Sequence, residues 1–157
     1  MKRARLWMIC AAACLALVGC SPVLSDPEVP PATAMGADTL LWGPEIKAQA
    51  LRMIAGSTVF CHLTMYELGD PDILSALAAA AKRGVDVEAV LDATEPHTLA
   101  TAYPFLRGRR IKVRLLKVPG GISHIKSLVT MDGAGMHALL GGMNFGEYSW
   151  LDEKGDE

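Results

Sequence analysis

Cysteine is scarce where a fold would use it. Of the four in the chain, Cys10 and Cys14 stand in an apolar leader and Cys20 closes it, which leaves Cys61 alone in the body of the protein. One thiol can build neither a disulfide framework nor a cysteine zinc site. Positive charge is short as well. The chain has 15 basic and 17 acidic residues, and Lys2, Arg3 and Arg5 all precede the apolar run, so the part beginning at Cys20 carries about five more acids than bases. A general basic coat for nucleic acid is excluded, although a local basic patch is not. The apolar stretch from Leu6 to Val18 falls short of the roughly 20 residues that span a bilayer. At 157 residues the chain has room for one ordinary domain, and 51 % hydrophobic against 20 % charged residues sets it apart from disordered proteins.

What is present at the start is the grammar of an export signal: a basic flank, a short apolar core, then small residues. Leu17-Val18-Gly19-Cys20 resembles the bacterial lipoprotein box, in which cleavage leaves the cysteine first and lipid is attached to it. The resemblance implies residues 1–19 as signal peptide, an acylated Cys20, and an exported lipoprotein anchored in the cell envelope. Ser21 resembles the outer-membrane sorting pattern of Gram-negative lipoproteins. Residues 20–43 hold Pro22, Pro27, Pro30 and Pro31 among small and acidic residues and read as an extended tether. The folded domain is then expected over 44–157.

Within it, Ile46, Ala50, Leu51 and Ile54 recur at helical spacing after Pro44, and Ser57 to Met65 is rich in β-branched and aromatic residues, as a strand is. Asp70 is placed to cap a helix that Pro71 starts and Gly84 stops, with Ile73, Leu74, Leu77 and Ala81 on one stripe. Val85 to Leu91 forms the next strand, with Asp92 at its carboxyl end, so the two strands should be parallel across a right-handed crossover. Further on, a helix from Leu99 to Leu106 is expected to be interrupted by Pro104, and Ile111, Val113 and Leu115 alternate with Lys112 and Arg114 as a strand. Pro119-Gly120-Gly121 breaks the chain. A strand from Ile125, a turn at Asp132 to Gly135 and a return over Ala138 to Leu140 make a hairpin. The expected fold is α/β, a mixed sheet with flanking helices, without an internal repeat.

The chemistry concentrates in His124-Ile125-Lys126, Asp132 and Gly141-Gly142-Met143-Asn144. In extended backbone His124 and Lys126 share a face of the sheet, and the hairpin can return Asn144 beside them. An imidazole, a fixed cation and an amide donor are what a phosphodiester transition state requires.

These residues resemble the phospholipase D superfamily, whose motif is His-x-Lys, four residues, Asp, then Gly-Gly or Gly-Ser, one residue and Asn. Asp72 to Asp92, with Arg83-Gly84-Val85-Asp86-Val87 and Leu91-Asp92, looks like the helix and strand ahead of that motif, and the likeness covers about residues 45–150. It implies a phosphohistidine mechanism with no cofactor and no metal. His124 would be the nucleophile or its partner acid, Lys126 and Asn144 would bind phosphate oxygens beside Gly141 and Gly142, and Asp132 would orient a histidine. Two departures stand out. Five residues separate Lys126 from Asp132 where the family has four, and there is one motif, not two. Either two copies pair to complete a site, or the chain is the first half of a two-motif enzyme, incomplete at its C-terminal end. The Gly-Gly-Met-Asn form resembles the first motif of cardiolipin synthase-like members, which favours the second option, and with the lipid anchor the resemblance implies hydrolysis or phosphatidyl transfer on phospholipid. The alternatives are a nuclease of the same superfamily and an inactive, truncated envelope lipoprotein.

Among the other candidates, His62 reads as a core histidine, and His97 and His137 as loop or surface residues. Met65, Met131, Met136 and Met143 read as core filling and turn packing. Arg107, Arg109, Arg110, Lys112, Arg114 and Lys117 form a local basic cluster that suits a lipid headgroup, a nucleic acid or a solvated strand edge.

Overall fold

The computed structural model describes residues 39–150. The signal peptide, Cys20 and most of the tether lie outside the described residues. Helix α1 runs Pro44–Gly56, strand β1 Phe60–Met65, α2 Pro71–Lys82, β2 Asp86–Asp92, α3 Pro96–Ala100, α4 Ala102–Arg107, β3 Lys112–Leu116, β4 Lys126–Asp132 and β5 Gly135–Leu140.

Local chemistry sets these boundaries. Helices α1, α2 and α3 each carry proline in the first turn, where its missing N–H costs nothing. The Asp70 carboxylate accepts the N–H groups of Asp72 and Ile73, which caps α2. Gly84 follows the end of α2 at φ +92°, a left-handed conformation that glycine adopts without steric cost. Pro104 does not interrupt a helix. It is the third residue of α4, still in the first turn, and the break falls instead at Thr101, between α3 and α4.

The strands form one mixed sheet in the order β3-β2-β1-β4-β5. β1 pairs parallel with β2, and β2 with β3, while β4 runs antiparallel to both β1 and β5. The β-α-β unit and the hairpin are therefore as the pattern predicts. Cys61, Leu63 and Met65 of β1, Val87, Ala89 and Leu91 of β2 and Leu128 of β4 form the buried face, with Ile54 and Ala50 of α1 and Ile73 and Leu77 of α2 packed into the same core. Burial raises the Cys61 thiol to about 12, so it stays protonated and inert.

Alternation places Phe60, His62, Asp86, Glu88, Met131, Met136 and Leu140 on the opposite face, where they are exposed or half-buried. His62 is accordingly not a core histidine. It stacks on Phe60 with ring centroids 4.6 Å apart and lies 3.9 Å from Asp86. Met131 and Met136 are exposed rather than core filling, since the odd and even positions of these strands fall to opposite sides. His62, Asp86 and Glu88 converge closely enough to suggest a cation, but the Lys112 ammonium already bridges both carboxylates, at 2.9 and 2.7 Å.

Candidate phosphate site at the carboxyl ends of the parallel strands

Because β4 is antiparallel to β1, its first residue, Lys126, pairs with Met65, the last residue of β1. The His124-Ile125-Lys126 segment is thereby brought to the carboxyl end of the parallel strands, where open α/β sheets gather their ligands. The Tyr66 N–H donates to the Ile125 carbonyl at 3.0 Å and extends that pairing. Asp92, at the carboxyl end of β2, fixes the approach from the other side by accepting the Ser123 N–H at 2.6 Å. Burial would push the Asp92 carboxyl up, but the Thr94 hydroxyl and the N–H groups of Ser123 and Thr94 outweigh it and hold the group below its ordinary range.

The Tyr66 ring joins the two motif side chains. His124 meets its edge with centroids 4.8 Å apart, and the Lys126 ammonium lies 5.2 Å from its centre. His124 is exposed, whereas Lys126 is only 6 % exposed. The Lys126 ammonium donates to the His124 carbonyl at 3.3 Å, and no carboxylate among the described residues lies within ion-pair distance of it. Burial lowers its pKa below the ordinary lysine value, against the partial support of the nearby Glu67 charge. A buried cation whose acidic neighbour, Glu67, stands beyond ion-pair distance is electrostatically primed for an anion.

Glu67 organises the rest. Its carboxylate accepts an N–H of the Asn144 amide at 3.1 Å, and its other oxygen lies 3.9 Å from Nδ1 of His97. Asn144 reaches this point because its loop is fastened to the chain after β1: the Phe145 N–H donates to the Glu67 carbonyl, and the Phe145 carbonyl accepts the N–H groups of Gly69 and Asp70. A Cβ at Gly69 would meet the His97 ring and one at Gly146 the Glu67 carboxylate, so a side chain at either position would displace those groups. Gly141 and Gly142 lie against Lys126, with the Gly141 N–H donating to the Lys126 carbonyl at 3.3 Å.

His124, Lys126 and Asn144 are thus gathered around Tyr66 and Glu67, with Gly141 and Gly142 alongside. Asp132 is not. It sits at the far end of β4, six residues or about 20 Å from Lys126. With no bulge in the β4–β5 ladder, the extra residue of the spacing puts it on the same face as Lys126. Its carboxylate accepts the N–H groups of Ala134 and Gly135 and pairs with His137 at 3.3 Å, so the histidine beside it is His137 and not His124. His97 proves more than a surface residue, because its Nδ1 is buried beside Glu67 without a hydrogen-bond partner among the described residues. Asn144 Oδ1 is likewise buried and finds no partner among the described residues.

The family model described as "Cardiolipin synthase, PLD-like domain" matches residues 50–157. Among solved structures the chain is similar to the phospholipase D family member Nuc from Salmonella typhimurium, with 24 % identity, 70 % of this chain and 67 % of that one covered, and a TM-score of 0.55. It is also similar to NucT from Helicobacter pylori, with 16 % identity, 68 % and 71 % coverage and a TM-score of 0.56. No curated protein matches.

Proposed function

The chain belongs to the phospholipase D superfamily, and from that premise we propose that it is an envelope phosphodiesterase acting on phospholipid, by hydrolysis or phosphatidyl transfer. The observation that carries the reading is the buried ammonium of Lys126, with no ion-pair partner among the described residues, sharing the Tyr66 ring with an exposed imidazole at the end of the parallel strands. A phosphodiester seated there places one oxygen on Lys126 and another on the Asn144 amide, which keeps a second N–H when the first is held by Glu67. His124 attacks phosphorus through its unprotonated ring nitrogen. The bond to the leaving alkoxide breaks, an acid protonates that oxygen, and water or an alcohol then takes the phosphoryl group from the histidine.

The acid is His124 of a second copy, the two motifs meeting across a two-fold axis. The lipoprotein box at Cys20 supports a phospholipid substrate, because an acylated anchor holds the site beside a bilayer. Outer-membrane placement follows from Ser21.

The test is hydrolysis of an aryl phosphodiester and headgroup release from phosphatidylglycerol liposomes, run with His124→Ala and with mass measured by light scattering. The expected result is activity in a dimer, reduced at least a hundredfold by His124→Ala. Nucleotides released from DNA while liposomes stay intact would transfer the reading to a nuclease. A folded, silent monomer would overturn it.

A further inference from the structure

The phosphate site opens into a cavity that the chemistry of phosphoryl transfer does not itself need. It encloses about 340 Å³, within the range of small-molecule sites. Trp42 and Ile46, at the start of α1, form one wall, and Leu139 of β5 with Met143 and Phe145 form the other. Lys126 stands in the same lining, together with the Gly141-Gly142 pair, so the cavity and the phosphate site share residues. Its outer rim is apolar where a soluble surface would be polar: Leu40 is 82 % exposed, Trp42 73 % and Leu140 70 %. A larger cavity of about 640 Å³ lies elsewhere, at the start of β2, and is lined by Lys82, Arg109, Arg110 and Lys112; it contains none of the motif residues.

Resting on the phosphodiesterase reading above, we infer that the cavity walled by Trp42, Ile46, Leu139, Met143 and Phe145 receives one hydrocarbon chain of a phosphate-bearing amphiphile whose phosphate rests on Lys126. Two complementary surfaces meet there. The walls offer methyl, methylene and ring surface, which gains by excluding water, at about fourfold in affinity for each methylene buried. Lys126, the single cation among the described lining residues, matches a single anionic group at one end of the ligand. Reading a nucleotide base calls for several donors and acceptors, and of these five wall residues only Trp42 carries a hydrogen-bonding group, the single N–H of its indole. The occupant is therefore a lipid phosphodiester. The same cavity also explains the exposed rim, since Leu40, Trp42 and Leu140 would face a bilayer from which the chain is drawn.

The test compares two soluble probes that differ only in their chains, monomeric dihexanoyl phosphatidylglycerol and glycerophosphoglycerol, by titration calorimetry on the full chain. The acylated probe is expected to bind at least tenfold more tightly. Trp42→Ala, at an exposed position that the fold does not need, should reduce that advantage to threefold or less, as should Met143→Glu within the wall. Lys126→Gln should weaken both probes alike. Equal affinities would overturn the chain site and leave the phosphodiester reading standing. Binding of neither probe would overturn both. An undiminished advantage in both wall variants, or an affinity for the acylated probe that ignores Lys126→Gln, would overturn the assignment of the chain to these walls and of the phosphate to Lys126.

Discussion

Lys126 opposes the folding of the protein it serves. Its pKa is lowered by burial, so between that value and the ordinary 10.5 the unfolded chain binds more protons than the folded one. The penalty is complete below the folded pKa and is relieved as pH rises through it. Lys126→Met should therefore raise stability at neutral pH by about 1 kcal/mol in urea unfolding while abolishing phosphodiester hydrolysis. Asp132 shows the opposite sign. The Ala134 N–H and His137 hold its carboxyl below 3.8, so its support of the hairpin is full above that value and disappears as pH falls through the folded pKa. Asp132→Ala is expected to lower the melting temperature at pH 7, with the gap to wild type closing in acid. His124, Lys126 and Asn144 were legible because a strand period and a glycine turn fix their relation. Tyr66 and Glu67 were not, since they lie some 60 residues upstream and no spacing rule connects them to the motif. Only their place just past the end of β1 hinted at the site.

Asp70 shows how much one residue can fasten between elements. Besides capping α2, its carboxylate accepts the Trp150 indole N–H at 2.8 Å and pairs with Lys47 of α1 at 3.1 Å, all at 1 % exposure. Asp70→Ala should cost about 2 kcal/mol in denaturant titration, beyond the roughly 1 kcal/mol of a lost cap, because it leaves the buried indole N–H of Trp150 without its acceptor, while Lys47 keeps its pairing with Asp72 at 3.1 Å. The cap itself was readable from Asp70-Pro71. Its second and third partners were not, because they come from 23 residues before and 80 after. Elements with strong local signals were recovered with their edges, α2 above all. Errors arose where tertiary setting overrode pattern: His62 and Met136 obey strand alternation but face a side of the sheet that no described helix covers, which a single strand's sequence does not reveal.

At the scale of the whole molecule, the sheet order ranks the strands. β1 is hydrogen-bonded on both sides, whereas β3 and β5 each have one neighbour among the described residues. Amide exchange should therefore be slowest in Leu63 and Cys61 and at least a hundredfold faster along β5, as mass spectrometry of deuterated peptides would show. The parallel half of the sheet was legible from its β-α-β rhythm, while the insertion of β4 beside β1, rather than beyond β3, was not, because strand periodicity says nothing of neighbours. That insertion has a consequence during synthesis. β1, β2 and β3 leave the ribosome first, but the free edge of β1 must wait for a strand made about 60 residues later. Until β4 emerges, the nascent chain carries an open edge flanked by Leu63 and Met65, the kind of surface that invites stray pairing. The strand that brings Lys126 to the site is also the one that closes this edge, so a chain protected from stray pairing at β1 is one in which Lys126 already stands in place.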